Sequence, residues 1–275
     1  MEKPVKKKKP LIFGTGLSSG KDYETLKKCC GTAIDCGICS FDTAPSYRTE
    51  GVLGQVLSDI SKEKHLERES LYVQTKIDPI QMYEGKIEEH AEKVLRIMKL
   101  DYFDCLLIHW PVYKYFRKTW ETLIRLKDQG VTKSIGICNL RESHLKELKG
   151  IGIIPDVLQV ERHPLNTFEA ERKFCKENGI ALQDYSPLCK MHTLLKASKD
   201  LDEIAAHHGC GIGEVILCWH IQTGATPIFT STKPSRIENY SRLEEVQLTE
   251  AELDIVSAQN INHKLYLESL ICPGF

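Results

Sequence analysis

Short apolar or alternating runs recur along the chain at Leu11–Gly16, Ser40–Ala44, Leu71–Ile77, Asp104–Trp110, Lys133–Asn139, Val157–His163, Ala181–Ser186 and Thr226–Thr230. Runs of this kind, bounded by turn formers, predict strands. Between them, Tyr23–Ile34, Val52–Ile60, Glu84–Met98, Thr119–Lys127, Glu142–Leu148, Phe168–Glu177 and Gly213–Gln222 carry the spacing of amphipathic helices. Gly37, Gly130, Gly179 and Gly224 each stand just before a strand, where a left-handed helix stop is required. Strict alternation calls for a parallel sheet with crossover helices, and eight such units close an α/β (β/α)8 TIM barrel. A doubly wound sheet would show G-x-G-x-x-G after its first strand, but Phe13-Gly14-Thr15-Gly16-Leu17-Ser18-Ser19-Gly20 has the wrong spacing. No linker or shift in composition divides the chain, so residues 1–275 are expected to form one domain, with 1–9 a flexible basic arm.

Side chains of a barrel strand alternate between the interior and the outer helix layer, and reactive groups belong at the C-terminal ends. Phe41 suits the outer layer, which points Asp42 inward. Leu71, Val73 and Ile77 share one parity, and Lys76 falls on the other. His109 ends an otherwise apolar strand, and Asn139, Gln159 and Tyr185 end theirs, so six polar groups converge on one rim. A lysine inside a barrel is costly unless an anion compensates it, and Asp42 on the preceding strand is placed to do so. Tyr47, in the loop after Asp42, reaches the same rim. A phenol beside a cation is expected to have a lowered pKa and to serve as a proton donor. Taken singly, Asp42 could form a turn, Lys76 could reach solvent, and His109 and Tyr47 could be packing residues; their convergence favours chemistry.

Composition narrows the function further. Lys and Arg number 37 against 38 Asp and Glu, so the net charge of -1 gives no general attraction to nucleic acid or to an anionic membrane. Apolar runs such as Cys105–Ile108 fall far short of the roughly 20 residues of a membrane helix. Eleven scattered cysteines, an odd number, fit free thiols in a reducing compartment, with the cytoplasm expected. Cys36-Gly37-Ile38-Cys39 has the spacing of a redox or metal pair, but it closes a helix instead of opening one, and no second pair follows; no metal is expected. His207-His208 is read as solvated surface.

The rim residues resemble the aldo-keto reductase superfamily. The resemblance is carried by Phe41-Asp42-Thr43-Ala44-Pro45-Ser46-Tyr47-Arg48-Thr49-Glu50, Thr75-Lys76, Leu106-Leu107-Ile108-His109-Trp110-Pro111, Gly136-Ile137-Cys138-Asn139-Leu140, Gln159-Val160-Glu161-Arg162-His163-Pro164, Tyr185-Ser186-Pro187-Leu188 and Ser231 to Arg236. It implies a nicotinamide cofactor lying across the C-terminal rim and a catalytic tetrad of Asp42, Tyr47, Lys76 and His109. In that scheme Tyr47 protonates the carbonyl oxygen, Lys76 held by Asp42 tunes the phenol, and His109 orients the carbonyl. Asn139 and Gln159 match the residues that hold the carboxamide, Tyr185 matches the ring on which the nicotinamide stacks, and Ser186 follows it. Trp110 is expected to wall the substrate pocket.

At the phosphate end the chain departs from the family's Ile-Pro-Lys-Ser and later Arg. Ile228-Phe229-Thr230-Ser231 with Arg236 keeps the serine and arginine but replaces a cation with Thr230. Lys233 is a candidate substitute. Tyr240 stands where an asparagine is expected, with Asn239 one position early. Cys138 and Thr49 stand where serine and asparagine are common. NADPH is the expected cofactor, with NADH as the alternative, and a small carbonyl compound the expected substrate of a monomer. A cofactor-binding sensor with little turnover is the competing function, and a Schiff-base aldolase using Lys76 is a third that leaves Asn139 and Gln159 unexplained. Short segments at Pro111–Lys118, Leu188–Lys199 and Asn262–Phe275 imply an open site, with Tyr72, Tyr113 and Phe275 as weaker candidates for its lining.

Overall fold

The computed structural model describes residues 9–267, apart from the side chains of residues 142 and 143. Eight parallel strands pair in sequence order and close on themselves. They are β1 Ile12–Gly14, β2 Ser40–Asp42, β3 Tyr72–Ile77, β4 Cys105–Ile108, β5 Ile135–Cys138, β6 Val157–Glu161, β7 Ala181–Tyr185 and β8 Ala225–Phe229. All eight predicted strands are present. Most stop a residue or more short of the expected end, because pairing ceases where the chain turns into the rim loops.

The helices are α1 Tyr23–Asp35, α2 Glu50–Lys64, α3 Pro79–Glu84, α4 Ile87–Met98, α5 Tyr113–Asp128, α6 Glu142–Gly150, α7 Glu169–Asn178, α8 Thr193–Lys196, α9 Lys199–His207, α10 Ile212–Gln222, α11 Pro234–Tyr240 and α12 Glu250–Ser257. The helix expected over Glu84–Met98 begins only at Ile87, because Gly85 takes a φ of 66° and ends the separate α3. α5 starts at Tyr113, so the connection after β4 is shorter than the expected Pro111–Lys118. Gly37, Gly130, Gly179 and Gly224 all have positive φ, as helix exits require.

Strand parity sorts the core into two layers. Phe13, Phe41 and Phe229 face outward, with Phe13 meeting the other rings edge-on at 6.3 and 5.7 Å, and join the continuous apolar layer under the helices. Inside the barrel lies a small separate cluster of Cys105, Leu107, Cys138 and Val157, against which Tyr72 packs. Gly136 is needed there, since a Cβ would come within 2.5 Å of both Leu107 and the Val157 carbonyl. Above this cluster the interior is filled by amides: Gln74 Nε2 donates to Gln183 Oε1 at 2.9 Å and Gln183 Nε2 returns to Gln74 Oε1 at 2.9 Å. Tyr72 donates to Gln74 Oε1 at 3.1 Å, which places it in the barrel interior and not at the rim.

Two further expectations change. His207 and His208 are not simply solvated: both reach the Glu252 carboxylate at 3.1 Å and tie the end of α9 to α12. Tyr113 is 79% exposed and points away from the rim pocket. Lys9 forms an ion pair with Glu244, while the rest of the basic arm and Phe275 lie outside the described residues. The ten cysteines among the described residues are free, and Cys36 serves as the C-cap of α1.

Candidate active site

β2 and β3 deliver the charged pair. Lys76 is fully buried, and its Nζ donates to both Asp42 oxygens at 2.7 and 2.8 Å and to the Thr43 carbonyl at 3.0 Å. Gln74 Nε2 adds a 2.7 Å bond to Asp42 Oδ1, so both carboxylate oxygens are hydrogen-bonded and Oδ1 more than once. This degree of satisfaction is what makes a buried ion pair tolerable. Lys76 Nζ also lies 3.3 Å from the Tyr47 hydroxyl and 4.7 Å from the centre of its ring.

Tyr47 sits on a single helical turn, Pro45–Tyr47, closed by Arg48 in the left-handed conformation with a φ of 58°. Thr49 locks the base of this turn by bonding Thr15 at 2.8 Å and Thr43 at 3.1 Å through its buried hydroxyl. Gly16 allows the closest approach, because a Cβ there would press on the Tyr47 ring at 3.3 Å. The His109 ring meets Tyr47 edge-on at 5.7 Å, and its Nδ1 is held by Asp78.

The electrostatics differ from expectation at Tyr47. Burial dominates and raises the phenol pKa; Lys76 pulls it down, but Asp42 cancels part of that pull. The proton therefore stays on the phenol at neutral pH, as a proton donor requires. For Lys76, burial alone would lower the pKa, yet Asp42 and Tyr47 outweigh it and keep the ammonium charged. At His109 burial wins over the Asp78 contact, and the imidazole pKa falls below its ordinary 6.5. Burial would raise the Asp78 pKa, but hydrogen bonding to His109 and to Ser46 reverses this and holds it below the usual range.

A pocket of about 260 Å³ opens above these groups. Asp42, Tyr47, His109, Trp110, Asn139, Gln159, Tyr185, Ser186 and Thr230 line it, with Lys76 just behind. Asn139 and Ser186 both hold positive φ, 64° and 51°, at the ends of β5 and β7. Such conformations in residues other than glycine concentrate where a site is being shaped. Asn139 Nδ2 donates to the His109 carbonyl at 3.0 Å and its Oδ1 accepts from the Tyr185 hydroxyl at 2.8 Å. Gln159 Nε2 donates to Gln183 at 3.0 Å.

Ser231, Arg236 and Asn239 do not line this pocket. Ser231 Oγ turns back on its own loop, donating to the Lys233 carbonyl and accepting from the Lys233 N–H. Arg236 is exposed on α11, and Asn239 lines a separate cleft with Arg242 and Glu245. Tyr240 is buried against Phe229, with ring centres 5.4 Å apart, and contributes to the core.

Several site residues were missed in the sequence. Asp78 looks like an ordinary helix cap before Pro79, and nothing local marks its bond to His109. Tyr266 lines the pocket and meets Tyr185 edge-on at 5.8 Å. It is held there by Glu161, whose two oxygens accept from Leu265 N–H at 2.6 Å and Tyr266 N–H at 2.9 Å. Gly14, Gly16 and Ile228 complete the walls. The period-2 pattern of β6 already placed Glu161 on the same face as Gln159, which was a usable signal.

A closed parallel barrel with a buried Lys–Asp pair, a phenol and an imidazole at its C-terminal rim is the arrangement of an oxidoreductase acting on carbonyl groups. The sequence pattern of the aldo/keto reductase family matches residues 10–261, and the chain belongs to that family. It is 34% identical over 255 residues to glyoxal reductase of Bacillus subtilis, covering 92% of this chain and 90% of that one. It is 32% identical over 234 residues to a methylglyoxal reductase of Escherichia coli O157:H7, covering 81% and 82%. A Bombyx mori aldo-keto reductase solved in complex with NADP superposes with a TM-score of 0.85 at 26% identity, covering 94% and 91%. No helix among the described residues is long and apolar enough to cross a membrane.

Proposed function

We propose that the chain reduces small aldehydes or ketones to alcohols with NADPH, Tyr47 acting as the proton donor. The contact of Lys76 with both Asp42 and the Tyr47 hydroxyl, at the floor of an open pocket, carries this reading. The donor set suits a nicotinamide dinucleotide: Asn139 and Gln159 offer amides to an amide, and Tyr185 offers an aromatic ring beside them. When bound, that cofactor supplies the hydride. Arg236, with Ser231 and Lys233, is the candidate set for the 2′-phosphate; Asn239 faces another cleft and Tyr240 is buried, so neither supports the adenine role.

The protein's own work is positional and acid–base. Tyr47 holds its proton until the carbonyl oxygen gains charge, and then gives it up. Lys76 stabilises the phenolate that results, and Asp42 keeps Lys76 charged and fixed in place. His109 faces the carbonyl oxygen and orients it when the ring presents an N–H there, while Trp110 and Tyr266 form apolar walls that exclude water. The modest pocket and the glyoxal and methylglyoxal reductases among its relatives point to small, reactive 2-oxoaldehydes as substrates. The ten free thiols among the described residues support work in a reducing compartment such as the cytoplasm.

The test follows absorbance at the nicotinamide band while purified protein meets methylglyoxal, glyoxal and larger aldehydes, with NADPH and with NADH. Faster oxidation of NADPH with at least one small aldehyde is expected. Cofactor binding without turnover of any of them would instead identify a sensor.

A further inference from the structure

We propose, building on the reductase reading above, that Asp78 is a positioning residue of the reaction: its carboxylate decides which nitrogen of His109 carries the proton, and it anchors the turn that bears Tyr47. Asp78 is buried at the junction of β3 and α3. One oxygen meets His109 Nδ1, and the other accepts from the Ser46 N–H at 2.8 Å. Its own N–H donates to Gln81 Oε1 at 2.9 Å. Ser46 immediately precedes Tyr47, so one side chain touches the supports of both groups that face the substrate.

The chemistry follows from donor and acceptor counts. A carboxylate can only accept, so the proton between Asp78 and His109 resides on Nδ1. In the neutral ring Nε2 then keeps a lone pair, as does the carbonyl oxygen, and the two cannot bond. His109 therefore engages the carbonyl only as imidazolium, donating from Nε2 while Nδ1–H stays on Asp78. Tyr47 still supplies the proton and the carbonyl carbon takes the hydride, so His109 ends the step in the protonation state in which it began.

The charged and titratable groups around this pair are Lys76 and Asp42 from the barrel interior, Tyr47 from its turn and Cys138 from β5, with Glu50 of α2 and His90 of α4 near Asp78. Burial, the largest influence, and Lys76 disfavour the imidazolium, while Asp78 and Asp42 favour it without outweighing them. Reduction should accordingly be fastest at acid pH and weaken as pH rises through the His109 pKa.

Asp78→Asn tests this without removing the side chain. Ser46 N–H is an obligate donor, so it claims the asparagine oxygen and leaves the amide NH2 facing His109. That NH2 donates to Nδ1 and moves the neutral ring's proton to Nε2, where it can reach the carbonyl at any pH. Nitrogen-15 NMR of the His109 ring, together with kcat/KM against pH using NADPH and methylglyoxal, reads both consequences. The expected result is an Nδ1–H ring in the wild type, with kcat/KM falling about tenfold per pH unit above the His109 pKa. The variant should show an Nε2–H ring, no such fall, and NADPH affinity within about twofold of wild type. Asp78→Ala should lose kcat at every pH, with asparagine restoring more than alanine. An Nε2–H ring in the wild type, or the same tautomer and pH profile in both proteins, would overturn the proposal. The ring's tautomer is readable whether or not any carbonyl is reduced, so the proposal and the reductase reading can fail separately.

Discussion

Two sectors of the same rim are built on opposite principles. Around β2–β4, Asp42, Lys76, Asp78 and His109 are largely withdrawn from water and bonded to one another, and the protein has already met the cost of desolvating them. Around β8 and α11, Thr230, Lys233 and Arg236 are exposed, and Ser231 satisfies itself within its own loop. The first sector is preorganised for charge that develops during reaction, whereas the second is an open surface that a ligand would have to organise. Loss of a member should therefore damage stability and chemistry in the first sector, but only cofactor affinity in the second.

The sharpest way to break this contrast is Asp42→Ala. It leaves the Lys76 ammonium buried without its anion and frees the Gln74 amide, so unfolding free energy should drop by about 3–5 kcal/mol. Urea denaturation followed by circular dichroism reads this, and a drop below about 1 kcal/mol would show that the pair is not buried as described. Arg236→Ala comes next, with NADPH binding weakened about tenfold through loss of a charge-assisted bond, and with stability and NADH binding unchanged. Fluorescence titration with both cofactors checks it; equal losses for NADH and NADPH would place Arg236 away from the 2′-phosphate. The smallest effect is expected of Thr230→Lys, which should tighten NADPH binding about threefold, as one more partly screened cation would. No gain at low salt would argue against a phosphate near residue 230.

The two sectors also differ in how far they could be read in the sequence. Lys76 declared itself because an inward cation in an apolar strand demands an anion, and strand alternation allowed few places for it. The amides Gln74 and Gln183 made no such demand, and their pairing across the barrel was invisible. Asp78 was hidden by its ordinary local role ahead of Pro79. Glu161 contacts Leu265 across 104 residues of sequence, a distance no local pattern reaches. The Tyr47 pKa was misjudged because the cation was legible while the burial that outweighs it depends on packing. Extra helices such as α9 and α12 escaped a reading that assigned one helix to each strand.

The central claim is that Tyr47 gives the proton from a prebuilt site and takes no part in holding the cofactor. Mixing NADPH-loaded protein with methylglyoxal and following a single turnover, for the wild type and for Tyr47→Phe, tests it most directly. Loss of one general acid predicts a rate about 10²- to 10⁴-fold lower in the variant, with NADPH affinity nearly unchanged on the same samples. A first turnover as fast as wild type in Tyr47→Phe would contradict the account.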